Sequence, residues 1–144
     1  MKNILVTIDL EDHAEQLIGH AAEWAKAFGA KVWLMHVAAP DPDFVGYEVG
    51  PQYIRDGRAE ELREEHRMLQ ACAKVLEGHG LEADGILIQG ATVEMILEES
   101  EKLNADLLIC GHHEHGFLHD WFSGSVAKEL LKKTKTPLLI IPFD

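Results

Sequence analysis

Cysteine is scarce in this chain, and basic residues are heavily outnumbered. Its 144 residues include 2 cysteines, 13 lysines and arginines, and 25 aspartates and glutamates. Cys72 and Cys110 are far apart and form no CxxC pair, which excludes zinc-ribbon and thioredoxin-type chemistry; both read as buried small apolar residues. The formal net charge of −12 offers no basic footprint for DNA, RNA or anionic lipid, so neither nucleic acid nor a membrane is an expected partner. A triphosphate would need local backbone N–H donors or a metal ion to overcome that field. No apolar run reaches membrane-spanning length. Met1-Lys2-Asn3 leads straight into Ile4-Leu5-Val6, with no apolar h-region or cleavage site. Together with the low cysteine usage, this sets the expectation of a cytoplasmic protein. Internal repeats and low-complexity tracts are missing too. So are a GxSxG elbow, an HExxH pair and a GxxxxGKS/T phosphate loop, so neither a hydrolase nor a P-loop ATPase is expected. The chain reads as a non-enzyme, with any ATP turnover slow and incidental.

What is present is an alternation of short apolar runs with helical stripes. Asn3 to Ile8 has the length and apolarity of a buried parallel strand and ends at Asp9. From Asp12 to Phe28, Leu17, Ile18, Ala21, Ala22, Ala25 and Phe28 recur at three- and four-residue steps, and Gly29 supplies a C-cap. Lys31 to Val37 predicts a second strand. Ala38 to Asp56 collects three of the five prolines with Gly46 and Gly50 and reads as a long loop. Arg58 to Glu77 predicts a helix with Leu62, Leu69, Ala73 and Leu76 on one stripe. Strands are predicted at Ile86 to Ile88, Leu107 to Cys110 and Leu138 to Ile141. Between them fall a helix carrying Val93, Ile96 and Leu103 and another over Ser123 to Thr134. Trp24 and Trp33 read as packing residues.

Five strands alternating with four helices predict one α/β domain over residues 1–144: a doubly wound, five-stranded parallel sheet with helices on both faces. Ligands of such sheets bind outside the C-terminal strand ends where strand order reverses. Asp9, Val37, Gln89-Gly90 and Gly111 are therefore the positions to inspect.

The segment after the fourth strand carries the densest signal. It runs Gly111-His112-His113-Glu114-His115-Gly116, then Phe117 to Ser123, then Gly124-Ser125-Val126 opening the last helix. Backbone N–H groups at that helix start favour phosphate oxygens, and the Ser125 hydroxyl adds a donor. Gly111 would let a ribose or phosphate approach the main chain. This strand-loop-helix segment resembles the universal stress protein family. Its nucleotide-binding members show a glycine, two residues, a second glycine, nine residues, and a third glycine followed by Ser or Thr. Gly111, Gly124 and Ser125 match. The resemblance extends over Ile4 to Asp9, His36-Val37, Gly90, Asp106 to Gly111 and Pro137 to Pro142.

The resemblance implies a Rossmann-like fold of the adenine nucleotide alpha hydrolase type and a stress-response regulator. It implies an adenine nucleotide, ATP or AMP, with Mg²⁺ as a candidate companion, held by Asp9, Val37, Gly111, Gly124, Ser125 and Val126. Asp9 would face the nucleoside end and Val37 the adenine. A homodimer built on the apolar edge strand 138–141, acting on an unidentified protein partner, is also implied.

One residue departs from the motif: the second glycine is Glu114. Facing a phosphate at about 6 Å, it would cost roughly 3 kcal/mol at an effective dielectric of ~20, on the order of a hundredfold in affinity. Either its side chain turns to solvent or towards Mg²⁺, or nearby Gly116 supplies the flexible position. A second reading therefore stays open, a dimeric scaffold of the same fold that binds no nucleotide. A third rests on His112, His113, His115 and His119, which with Glu114 and Asp120 could ligate a metal. Adjacent side chains in an extended loop point apart, however, so solvated loop histidines are the expectation and no metal ligand is assigned. Leu118, Trp121 and Phe122 are expected to pack the loop onto the sheet.

Overall fold

A computed structural model of the chain describes residues 1–10, 13–38, 52–113 and 124–143. The strands are β1 (Asn3–Thr7), β2 (Lys31–Ala38), β3 (Ala83–Gln89), β4 (Leu107–His113) and β5 (Leu138–Phe143). They alternate with α1 (Ala14–Phe28), α2 (Gln52–Gly78), α3 (Thr92–Lys102) and α4 (Gly124–Lys133). All strand pairings are parallel, in the order β3-β2-β1-β4-β5, so the expected doubly wound sheet is what forms. The chain winds outward from β1 through β2 to β3, then crosses back to lay β4 on the other side of β1. The switch point lies between β1 and β4.

Alternation of side chains along each strand splits the core into two layers. Ile4, Val6, Val32, Leu34, Leu107 and Ile109 point to α1 and α2, where Leu17, Ala21, Leu69 and Leu76 meet them. Leu5, Met35, Val37, Leu108 and Cys110 point the other way, onto Val93 and Ile96 of α3 and Val126 and Leu130 of α4. Full burial of a leucine contributes about 1.5–3 kcal/mol, which is why the short apolar runs are so legible.

Each helix has a local reason to stop or turn. α1 closes on Gly29, whose φ of 64° makes the left-handed cap that returns N–H groups to Ala25. At the end of β3, Gly90 has φ 152° and lies against Met95, a backbone that side-chain-bearing residues rarely adopt. That bend turns the chain into α3. At the opposite edge of the sheet, Asp106 Oδ2 accepts the backbone N–H groups of Lys2 (2.7 Å) and Asn3 (3.0 Å). These two bonds pin the start of β1 to the start of β4, and they hold the Asp106 carboxyl below its usual range.

Two sequence expectations are corrected. Helix α2 begins at Gln52, so residues 52–56 of the predicted loop are helical; residues 39–51 lie outside the described residues. Little apolar periodicity marks this first part and Gly57 suggests a break, but one glycine costs only about 1 kcal/mol in a helix that is already propagating. Strands β4 and β5 also run further than expected, because Gly111, His112 and His113 pair with Ile141, Pro142 and Phe143.

At a rise of ~1.5 Å per residue, the 27 residues of α2 span about 40 Å, against about 26 Å for the eight of β2. Its C-terminal end is fixed by the short turn into β3. The excess therefore rises past the C-terminal strand ends. Trp33 packs as expected, its Nε1 donating to Asn3 Oδ1 (3.1 Å), whereas Trp24 keeps 36% of its surface exposed and stacks on Phe28 rather than entering the core.

Candidate functional site

The C-terminal edge of the sheet at the switch point gathers the described part of the site. Thr7, in the last turnable position of β1, is buried and its Oγ1 donates to the Ile109 carbonyl of β4 (3.4 Å). Asp9 follows at half burial, and Leu10 then adopts φ 62°, a left-handed backbone that costs a non-glycine residue about 1–2 kcal/mol. β1 thus ends in a strained turn at the place where an α/β sheet accepts ligands.

Beside that turn lies a shallow recess of about 10 Å³, open to solvent. Its walls are Thr7 and Ile8 of the β1 end, Met35, His36 and Val37 of β2, and Thr92 and Ile96 of the first turns of α3. Val37 is buried and pairs with Ile88, so it offers an apolar flank rather than a reaching side chain. The recess is mostly apolar, and the bend at Gly90 sets where α3 closes it.

Gly111 sits in β4, paired with Ile141, as the sequence places it. Its reason for being glycine is different from the one expected. A Cβ built on it would overlap Cε2 and Cζ of Phe143, whose ring lies across the glycine and stacks on His13 at 4.4 Å with an interplanar angle of 9°. The missing side chain makes room for the C-terminal strand's own aromatic ring, on the side of the sheet that carries α1. Close approach of a ribose or phosphate is not needed to explain it.

Gly124, Ser125 and Val126 form the first turn of α4, and Val126 is buried against the core between α3 and α4. The helix start is therefore on the face of the sheet to which Cys110 points. His112 shares that side by alternation. Its Nδ1 is sealed from solvent and has no hydrogen-bond partner among the described residues, a condition that costs about 1–3 kcal/mol unless a partner is supplied. His112 is thus a half-buried strand residue and not the solvated loop histidine expected. Composition alone could not reveal this, since the change follows from pairing with Pro142.

Glu114, His115, His119, Leu118, Trp121 and Phe122 lie outside the described residues, and with them the fate of the motif's second glycine. Among the described residues no grouping of His, Cys, Asp and Glu could hold a metal ion. Cys110, one residue before Gly111, is no nucleophile: burial pushes its thiol up to about 12. Sequence reasoning also gave no role to the His36 side chain. It is buried, its Nδ1 lies 2.8 Å from the Ile8 carbonyl, and its Nε2 faces Glu65 Oε2 of α2 at 3.6 Å.

The family model for universal stress proteins matches residues 1–142. This chain belongs to the universal stress protein family. A universal stress protein of Thermus aquaticus, encoded beside a QAH/OAS sulfhydrylase, is 31% identical over 142 residues, 97% of this chain and 98% of the relative. Among solved structures, a universal stress protein in complex with cAMP superposes with a TM-score of 0.71 at 20% identity, covering 98% of this chain and 96% of its own. The universal stress protein of Archaeoglobus fulgidus in complex with dAMP gives 0.64 at 19%, covering 98% of each. At such identities these likenesses establish the Rossmann-like fold. None of the helices among the described residues is long and apolar enough to cross a membrane.

Proposed function

We propose that this universal stress protein binds an adenine nucleotide at the C-terminal edge of its sheet, with the base in the recess beside Val37 and the phosphates at the start of α4. The observation that carries the reading is the recess itself, an apolar notch at the end of β1 and β2 with a helix N-terminus across the switch point. As it stands the recess has a volume of about 10 Å³, room for about one water, so it marks where the base would dock and must widen to admit it, while sugar and phosphate would lie outside it over β4. Asp9 then faces the ribose, and the backbone amides of Gly124, Ser125 and Val126 meet the phosphate without any basic side chain. The His112 Nδ1 stands on the same side and would gain in the ligand a partner that the described residues do not supply. Binding of cAMP and dAMP by two proteins of this fold supports an adenine ligand. The protein then acts as a cytoplasmic regulator and not as an enzyme, working as a homodimer through the edge of β5, with Mg²⁺ accompanying a polyphosphate if ATP is the ligand.

The test is mass spectrometry of the small molecules released from freshly purified, denatured protein, followed by calorimetric titration with AMP, cAMP and ATP. Bound adenine nucleotide, lost in Val37→Trp and weakened about tenfold or more in Ser125→Ala, supports the reading. An empty wild type that gives no heat with any of the three refutes it.

A second reading has its own observation. The Phe143–His13 stack roofs Gly111 on the α1 side of the switch point, filling with protein the space the motif glycine was expected to leave open. That favours a dimeric scaffold acting through protein contacts alone, and the empty wild type is its signature.

A further inference from the structure

The turn after β1 is strained at Leu10, yet it has to hold Asp9 in place at the ligand edge. The last rung between β1 and β2 is Ile8 N–H to the Met35 carbonyl (2.8 Å). Beyond it, the Ile8 carbonyl is met by a side chain, the His36 ring at 2.8 Å. A carbonyl oxygen brings no proton, so Nδ1 must carry the hydrogen and donate it. That assignment leaves Nε2 for Glu65, whose Oε2 lies 3.6 Å away, buried and with no hydrogen bond among the described residues. Nε2 and Oε2 attract each other only with a proton between them, carried by an imidazolium ring or by the carboxyl, and among the described residues His36 faces this oxygen.

We infer that His36 and Glu65 form a brace between α2 and the Ile8–Leu10 turn, so that the order of this ligand-edge turn depends on a residue of the long helix. His36 is a positioning residue: it touches the backbone that presents Asp9. The brace also works in reverse, by reciprocity of coupling: a ligand that stiffens the turn stiffens α2 around Glu65. That second half rests on the nucleotide reading; the first half does not.

Amide hydrogen exchange, resolved by residue, separates the two. In the ligand-free protein, Glu65→Ala speeds exchange at Asp9 and Leu10 by about tenfold or more, while Leu5 and Leu108 in the sheet centre keep their rates. His36→Asn, which keeps a donor near the Nδ1 position but cannot reach Glu65, speeds exchange at the turn as Glu65→Ala does, and His36→Leu, which removes both contacts, speeds it at least as much. Unchanged rates at Asp9 and Leu10 in Glu65→Ala, or equal acceleration across the whole sheet, overturn the brace. Should a variant fail to fold, ¹⁵N spectra of the wild-type ring decide instead: a proton on Nδ1 is expected, and its absence overturns the inference. Addition of millimolar AMP is then expected to slow exchange near Glu65 in the wild type and not in His36→Leu. A wild type that binds AMP without that slowing overturns the reverse coupling. A wild type that binds no AMP overturns the nucleotide reading and with it the reverse coupling, while the ligand-free rates still judge the brace.

Discussion

Replacing Gly111 by alanine separates two explanations of a motif glycine. Its backbone is extended strand, so alanine meets no conformational penalty there. What it meets is the Phe143 ring, at Cε2 and Cζ, with Cδ2 3.3 Å away. The ring cannot simply swing aside, because it is 6% exposed and lies flat against His13. Overpacking of this kind costs about 1–3 kcal/mol, and loss of the aromatic stack adds about 0.5–1.5 kcal/mol, for a total of about 2–4 kcal/mol. Urea unfolding followed by far-UV circular dichroism is expected to show a midpoint lowered by about 1–2 M at an unchanged slope. The control is the same substitution in a Phe143→Ala background. Phe143→Ala alone costs about 3–5 kcal/mol, and Gly111→Ala added to it is expected to cost less than about 1 kcal/mol, because the obstacle is gone. If Gly111→Ala costs the same in both backgrounds, or nothing in either, the ring is not why this residue is glycine. A variant of wild-type stability that has lost nucleotide would return the position to the ligand.

Three further outcomes follow from other parts of the molecule. Asp106→Asn removes the carboxylate that accepts from Lys2 and Asn3; since its pKa is lowered from 3.8, the stability it contributes is present above that value and fades as pH falls through the folded pKa. Wild type and variant should therefore differ in thermal midpoint at pH 7, with a gap that narrows as pH falls below 3.8, and a gap that stays constant through the acid range would contradict this. Cys110, with its thiol held near 12, should resist iodoacetamide at pH 8 in the native protein and react once urea is added, as read by peptide mass spectrometry; equal labelling in both states would show that it is not sealed. Leu69→Ala, at a fully buried position beside Gly85, should cost about 2–5 kcal/mol in the same urea assay, and a loss below about 1 kcal/mol would mean α2 is not anchored there.

The parts of the fold that showed in the sequence are those whose cause is local. Gly29 announced the end of α1 because a left-handed cap needs only its own backbone, and Leu69, Ala73 and Leu76 announced the buried face of α2 by spacing alone. Asp9 and Val37 could be placed at the C-terminal edge of the sheet because topology follows from the βα alternation. The misreadings concern residues whose meaning is set by partners distant in the chain. Gly111, His112 and His113 look like loop until β5 is laid beside them, and the ring that makes Gly111 necessary comes 32 positions later. Glu65 is one more acidic residue on a charged helix until the end of β2 is brought beneath it. Binary patterning sees whether a residue is apolar; it does not see which carboxylate of several will face a buried imidazole.

The overhang of α2 also gives small events at the sheet edge a mechanical reach. Glu65 stands level with His36, two residues short of the end of β2, and the 13 residues back to Gln52 extend about 20 Å beyond that level. A rigid rod of that length, tilted by about 10° at its foot, carries its tip through about 3 Å. Rearrangements too slight to be visible beside Val37 would therefore arrive at the far end of the rod as a displacement of side-chain size, large enough to make or break a contact with another molecule.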